Sequence, residues 1–205
     1  MAEQEKQEKK LRILAAGDIH GDTSLTKRLA EKAEKEKVDF VILCGDITSP
    51  LESKNLLKPF QDKKQKVLLI PGNHDSFATI DFMAELYGMQ NIHGYSVKYR
   101  DVGIFGAGGA LGFDTSEKEL FDTLKKGNDA LKDVKKKIMI THMHAKGTIS
   151  EISGIAGSES IMKAVEKFKP DFLIHSHIHE ASGLEQKIGD TKVINVGREG
   201  ILIEV

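Results

Sequence analysis

The sequence predicts an α/β fold, a two-sheet β-sandwich flanked by helices. Three observations predict it. In the first half of the chain, short apolar runs alternate with stretches whose apolar residues recur at helical spacing. The second half is richer in β-type segments, which calls for a second sheet packed on the first. Five apolar runs also end in Asp, Asn or His, the placement expected of a site at the carboxyl ends of strands in an α/β sheet.

At 205 residues, 40% of them apolar, the chain fits one large domain with a sizeable core. Residues 1–10 are expected to form a charged N-terminal tail and 11–205 the domain. No apolar run approaches the roughly 20 residues of a membrane span. The first ten residues also lack the apolar centre of a signal peptide. Cys44 is the single cysteine, so no internal disulfide can form. A cytoplasmic location is the expectation, with no membrane partner. The net charge of -1 and pI near 6.7 argue against nucleic acid as a partner.

Residues 11–16 read as a strand ending in Gly17-Asp18-Ile19-His20. Leu25, Leu29 and Ala33 then form the stripe of an amphipathic helix to about Lys37, with Asp22 at its start. Residues 38–44 are nearly all apolar, as in a strand buried on both faces, and lead to Gly45-Asp46. Ser49-Pro50-Leu51-Glu52 has the form of a capping box with proline in the first turn, and Pro59 is expected to end that helix early. Residues 67–70 are the next strand. The helix after it shows Phe77, Ile80, Met83 and Tyr87 on one face and stops at Gly88. Residues 95–99 and 102–107 are short strands before a tight turn at Gly108-Gly109. Ser116 and Glu119 form a second capping box. Residues 138–140 lead to His142 and His144. A loop rich in Gly and Ser, 146–158, precedes a helix carrying Ile161, Val165 and Phe168 that stops at Pro170. Residues 172–174 lead to His175, His177 and His179. The tail alternates as a β meander over 183–187, 192–196 and 201–205. Asp39-Phe40-Val41-Ile42 echoes Asp171-Phe172-Leu173-Ile174, the same strand entry used twice.

The most informative stretch is Gly72-Asn73-His74-Asp75, which ordinary residue frequencies produce in ~1 chain in 1,000 of this length. With it, the strand ends offer Asp18 and His20, Asp46, Asn73 and His74, His142, and His177 and His179. These are carboxylates, one amide oxygen and imidazoles. Such donors suit Mn2+, Fe, Ni2+, Co2+ or Zn2+ better than a structural thiolate zinc site does. Seven ligands exceed one four-coordinate ion and suit two ions about 3.5–4 Å apart that share a carboxylate.

The pattern Asp-x-His, Gly-Asp, Gly-Asn-His-Asp, Thr-His and His-x-His, in this order from Asp18 to His179, resembles the calcineurin-like metallophosphoesterase superfamily. Within it, the small prokaryotic phosphoesterases are the nearest in form. The resemblance implies that superfamily's four-layer α/β/β/α fold and two divalent metal ions, with Mn2+ the first expectation and Fe, Ni2+, Co2+ or Zn2+ the alternatives. It implies that Asp18, His20 and His179 hold one ion, that Asn73, His142 and His177 hold the other, and that Asp46 bridges them. His74 would face the substrate, and Asp75 is expected to orient its ring.

The implied activity is hydrolysis of a small-molecule phosphate ester, expected to be a nucleotide-like phosphodiester. Two cations would acidify a bridging water, the hydroxide would attack phosphorus in line, and protonated His74 would donate to the leaving group. A phosphomonoesterase or a nuclease with the same site is the alternative. A non-catalytic interaction module is a further reading, against which all eight motif positions are retained. Ser176 stands where the family usually has glycine. Ile47-Thr48-Ser49-Pro50 lacks the arginine of the Ser/Thr protein phosphatases, which argues against a phosphoprotein substrate.

Outside the motif, His144 and His175 are expected to be structural or to support the ligands, with substrate contact the alternative for His144; His93 is expected to be a loop residue and Cys44 a small buried hydrophobe. Specificity is expected in the loops near 91–112 and 146–158. The second is either a lid over the site or a mobile surface loop. The β edges after Gly183 are where a homodimer is expected to form.

Overall fold

The computed structural model describes residues 10–49, 54–113 and 115–205. Its strands are β1 (Arg12–Ala16), β2 (Phe40–Cys44), β3 (Val67–Ile70), β4 (Gln90–Asn91), β5 (Ser96–Tyr99), β6 (Val102–Ala107), β7 (Lys136–Thr141), β8 (Phe172–His175), β9 (Glu185–Ile188), β10 (Thr191–Asn195) and β11 (Ile201–Glu204). Its helices are α1 (Thr23–Lys35), α2 (Lys58–Asp62), α3 (Phe77–Tyr87), α4 (Glu117–Asp129) and α5 (Glu159–Phe168). One sheet has the order β11-β1-β2-β3-β4 and the other β5-β6-β7-β8-β10-β9. In both, the central pairings are parallel, and β11, β5 and β9 are antiparallel edges.

The sheets pack face to face with helices outside, giving the expected four layers. Strand periodicity divides each central strand between two cores. In β2, Phe40, Ile42 and Cys44 enter the core between the sheets, while Val41 and Leu43 meet α1, α2 and α3. In β7, Ile138 and Ile140 face the first sheet and Met139 faces α4 and α5. Burial on both faces explains why these strands read as unbroken apolar runs.

The echoed strand entries do the same work twice. Asp39 accepts the Arg12 amide on its side chain at 3.0 Å and donates its own amide to the Arg12 carbonyl at 2.7 Å. Asp171 does the same with Lys137, at 2.8 Å in each direction. Each aspartate thus sets the register at which a parallel pair begins. The helix ends follow their signals. The Asp22 carboxylate accepts the Leu25 amide at 2.9 Å, Ser116 and Glu119 complete both halves of a capping box, and Gly88 closes α3 at φ 66°.

Two expectations are corrected. Pro59 does not end a helix; it lies in the first turn of α2, where its missing N–H has no intrahelical partner to lose. The tail is not a meander. β9 and β10 form a hairpin in the second sheet, but β11 crosses to the first and covers the free edge of β1. Gly197 and Gly200, at φ 52° and 70°, make the crossing. The charged tail over residues 1–9 and the capping box at Pro50-Leu51-Glu52 lie outside the described residues.

The 146–158 loop is braced. Its ends pair through Lys146 N–H to the Ser158 carbonyl and Ser158 N–H to the His144 carbonyl, both at 3.0 Å. Its middle is a 3-10 turn, Ile149–Ser153, and Glu151 accepts the Gly147 and Gly157 amides at 2.9 and 3.0 Å. Among the described residues, no helix is long and apolar enough to cross a membrane.

Ser116→Ala removes one half of the α4 capping box. It should lower stability by about 1 kcal/mol, read as a fall of about 2–4 °C in thermal midpoint by circular dichroism.

Candidate metal centre

The loops after five parallel strands meet at one end of the sandwich. β1 leads to Asp18 and His20, β2 to Asp46, β3 to Asn73 and His74, β7 to His142, and β8 to His177 and His179. The first three strands belong to one sheet and the last two to the other, so the site spans the seam. Backbone bonds stitch the loops together: Asp18 N–H to the Gly45 carbonyl at 3.0 Å, His20 N–H to the Asp46 carbonyl at 2.8 Å, and Ser176 N–H to the His142 carbonyl at 3.1 Å.

Glycine makes this approach feasible. A Cβ on Gly72 would lie 2.1 Å from Asp46 Oδ1, and one on Gly45 2.6 Å from His142 Nδ1. The Gly-Asp and Gly-Asn pairs of the motif therefore have a steric reason. The ligand-type residues themselves carry the strain. Asp18, His20, Asp46 and His177 adopt φ of 54°, 50°, 52° and 72°. Such positions cost non-glycine residues of order 1 kcal/mol each and mark places where direction of the side chain matters more than stability.

Two groups of donors result. Asp18, His20 and His179 form one; Asp46, His142 and His177 form the other; within each, the ligand atoms lie within 4.8 Å of one another. Asp46 faces both. Its Oδ1 is 3.5 Å from His142 Nε2, and its Oδ2 is 3.8 Å from His20 Nε2 and 4.0 Å from His74 Nε2. Asn73 joins the second group, with Oδ1 2.9 Å from His142 Nε2. His177 Nδ1 stands 3.1 Å from the same nitrogen.

These contacts fit cations. His142 Nδ1 meets the Cys44 carbonyl at 2.8 Å, so it must be the protonated nitrogen. In the neutral ring, Nε2 then turns a lone pair toward an amide oxygen, an arrangement that a positive ion reconciles. Burial and charge oppose each other across the site. Burial pushes the His142 pKa down, but the hydrogen bond and charge of Asp46 and the charge of Asp18 outweigh it and move it up. Burial also pushes Asp46 up, yet the bond to His142, the charge of His142 and the His74 amide hold it down at about 2. Asp18 is raised, chiefly by burial. His177 is lowered to about 4, chiefly by burial and then by the charge of His142, which leaves its imidazole neutral.

His74 stands at the open side, its side chain 57% exposed and its ring edge-on to His20 at 5.1 Å. Asp75 does not orient that ring. Its carboxylate is turned inward and filled by the amides of Ile47, Thr48 and Gly72, at 2.7–3.1 Å, and by the Thr48 hydroxyl at 2.7 Å. It ties the loop after β2 to the loop after β3. Nothing in the sequence distinguishes this use of a carboxylate from the expected one, and the part played by Thr48 carries no motif.

Ser176, the departure from glycine, is accommodated rather than merely tolerated. Its hydroxyl donates to the Cys44 carbonyl at 2.8 Å and stands 3.2 Å from His142 Nδ1. Its side chain takes the space that a Cβ on Gly17 would need, 2.4 Å from Ser176 Oγ. His175 is buried, with Nδ1 at 3.1 Å from the Ser176 carbonyl, and burial lowers its pKa to about 3. His144 is buried and its Nε2 donates to the Ile155 carbonyl at 3.2 Å. The His93 ring accepts the Gly108 amide at 3.0 Å, fixing the turn after β6. Cys44 is fully buried, and burial pushes its thiol up.

One family model matches residues 11–181, that of the calcineurin-like phosphoesterases. Among curated proteins none matches the sequence. Solved structures do share its fold. The protein TT1561 of Thermus thermophilus superposes with a TM-score of 0.74 at 17% identity, over 93% of this chain and 90% of that one. A novel archaeal phosphodiesterase gives 0.56 at 16% identity, over 95% and 100%. A dimetal phosphatase from Danio rerio gives 0.59 at 11% identity, over 91% and 87%.

Asp75→Ala should strand several buried amides and destabilise the protein by about 3 kcal/mol or more, measured by denaturant unfolding. A ring-orienting role alone would leave stability unchanged. Gly17→Ala should destabilise by about 1–3 kcal/mol through the clash with Ser176. Adding Ser176→Gly should recover part of that loss in a double-mutant cycle, whereas additive effects would sink the steric account.

Proposed function

The chain belongs to the calcineurin-like phosphoesterases and is a metal-dependent phosphoric ester hydrolase; from that premise we propose that it is a binuclear-metal phosphodiesterase acting on a small substrate. The observation that carries this reading is Asp46, whose two carboxylate oxygens face different donor groups. In the proposed assignment Asp18, His20 and His179 hold one divalent ion, Asn73, His142 and His177 hold the other, and Asp46 touches both. Mn2+ is the first metal to test, since oxygen and imidazole donors suit it. When bound, the ions supply charge that acidifies water and offsets the negative charge of the phosphoryl group.

The chain's own residues do the rest. His142 is fixed in one tautomer by its Nδ1–H bond to the Cys44 carbonyl, which leaves Nε2 free to ligate. The His74 amide donates to Asp46 Oδ1 at 2.9 Å and so fixes the carboxylate's rotation. The exposed His74 imidazole delivers a proton from Nε2 to the departing alkoxide. Asp75 has no part in that transfer; it keeps the loop carrying His74 in place. Because His74 needs only to reach the leaving oxygen, its loss spares the metals and removes the general acid.

In metal-stripped protein with Mn2+ restored, His74→Ala should lower kcat on a diester with a poor leaving group by about 10²–10⁴-fold. It should bind the same amount of metal, measured by elemental analysis. Asp46→Ala should lose both metal and turnover. Full kcat in His74→Ala would remove His74 from the proposal.

A further inference from the structure

A cleft of about 650 Å³ opens beside His177, within the range of small-molecule sites. Its walls come from the two loops the sequence singled out. Leu111 and Phe113 follow β6, Met143 follows β7, and Ile155 lies in the 146–158 loop. Phe113 is 72% exposed and Ile155 46%, so large apolar groups face solvent along one side of the metal centre. The wall is held open. His144 donates to the Ile155 carbonyl at 3.2 Å, and Glu151 braces both arms of the loop. Among the described residues, Lys146 is the cation lining the cleft, and it is paired with Glu159. Glu117 is taken up by the Ser158 hydroxyl and the Glu159 and Ser160 amides. Among the described lining residues, lysine and arginine are thus represented by Lys146 alone, which already has a carboxylate beside it.

The cleft and His74 border different residues of the donor set. His177 belongs to the second donor group and lines the cleft, whereas His74 packs on His20 of the first. Resting on the phosphodiesterase reading above, we infer that the substrate is a diester with one apolar ester group, seated in this cleft while the other departs toward His74. The seated group is read as hydrocarbon because Leu111, Phe113, Met143 and Ile155 offer it carbon, and the thymidine ester below is the competing occupant.

The test uses alkyl 4-nitrophenyl phosphodiesters from methyl to hexyl on the Mn2+-loaded enzyme. The leaving group is constant, so only the seated group varies. A half-covered chain should gain about twofold in kcat/KM per methylene, or about thirtyfold from methyl to hexyl. Phe113→Ser and Ile155→Asn, both at exposed positions, should flatten that slope, lowering the hexyl ester's kcat/KM far more than the methyl ester's. Independently of turnover, hexyl phosphate should shift the Met143 methyl signal in methionine-labelled protein, and methyl phosphate should not. A flat series, a slope unchanged in both variants, or a thymidine ester faster than the hexyl ester would overturn the inference and leave the phosphodiesterase reading standing. No turnover of any ester by metal-loaded protein would overturn that reading. A Met143 signal indifferent to hexyl phosphate would overturn the apolar seat whatever the turnover.

Discussion

The Asp46 carboxylate is the tie between the two halves of the site, and much of the surrounding structure exists to hold it there. Its backbone sits in the left-handed region, its neighbour Gly72 must lack a side chain, and the His74 amide fixes its rotation. Parallel strands buried on both faces give rigid bases for the loops involved. A second buried carboxylate, Asp18, shares the seam, and burying two like charges is costly unless positive charge compensates them.

Support for the site is divided between two kinds of bonding. On the His74 side, backbone amides converge on one inward carboxylate, Asp75, which ties the loops after β2 and β3 together. On the His177 side, a long loop is closed on itself through its own ends and through Glu151. The first arrangement fixes atoms near the chemistry. The second fixes a wall whose exposed side chains can differ without disturbing the ligands, because its bracing runs through backbone groups and the Glu151 and His144 side chains, not through the side chains that face the cleft.

Strand ends were legible because uninterrupted apolar runs stop abruptly at polar, ligand-type residues, and burial on both faces leaves no other reading of such runs. The Ser116–Glu119 capping box and Gly88 were legible for equally local reasons. Asp75 was misread because a carboxylate beside an imidazole has the same appearance whether it serves the ring or the loop behind it. β11 was misplaced because two-residue periodicity reports that a strand has a buried face but not which sheet edge receives it. Pro59 was misassigned because proline tolerates the start of a helix as readily as it terminates one. The apolar cleft lies in loops, where facing partners are set by tertiary contacts between the Phe113 and Ile155 regions, far apart in sequence.

The contact between Gly17 and Ser176 limits the routes by which this chain could have been reached. Ser176 occupies the volume that any side chain at Gly17 would need, so the two positions form one unit for mutation. A side chain at 17 is strained while serine stands at 176, and is relieved only if 176 changes too. The serine repays its place by adding a hydrogen bond to the carbonyl that also fixes His142. Tolerance at position 17 is thereby set by a residue almost 160 positions away in the chain.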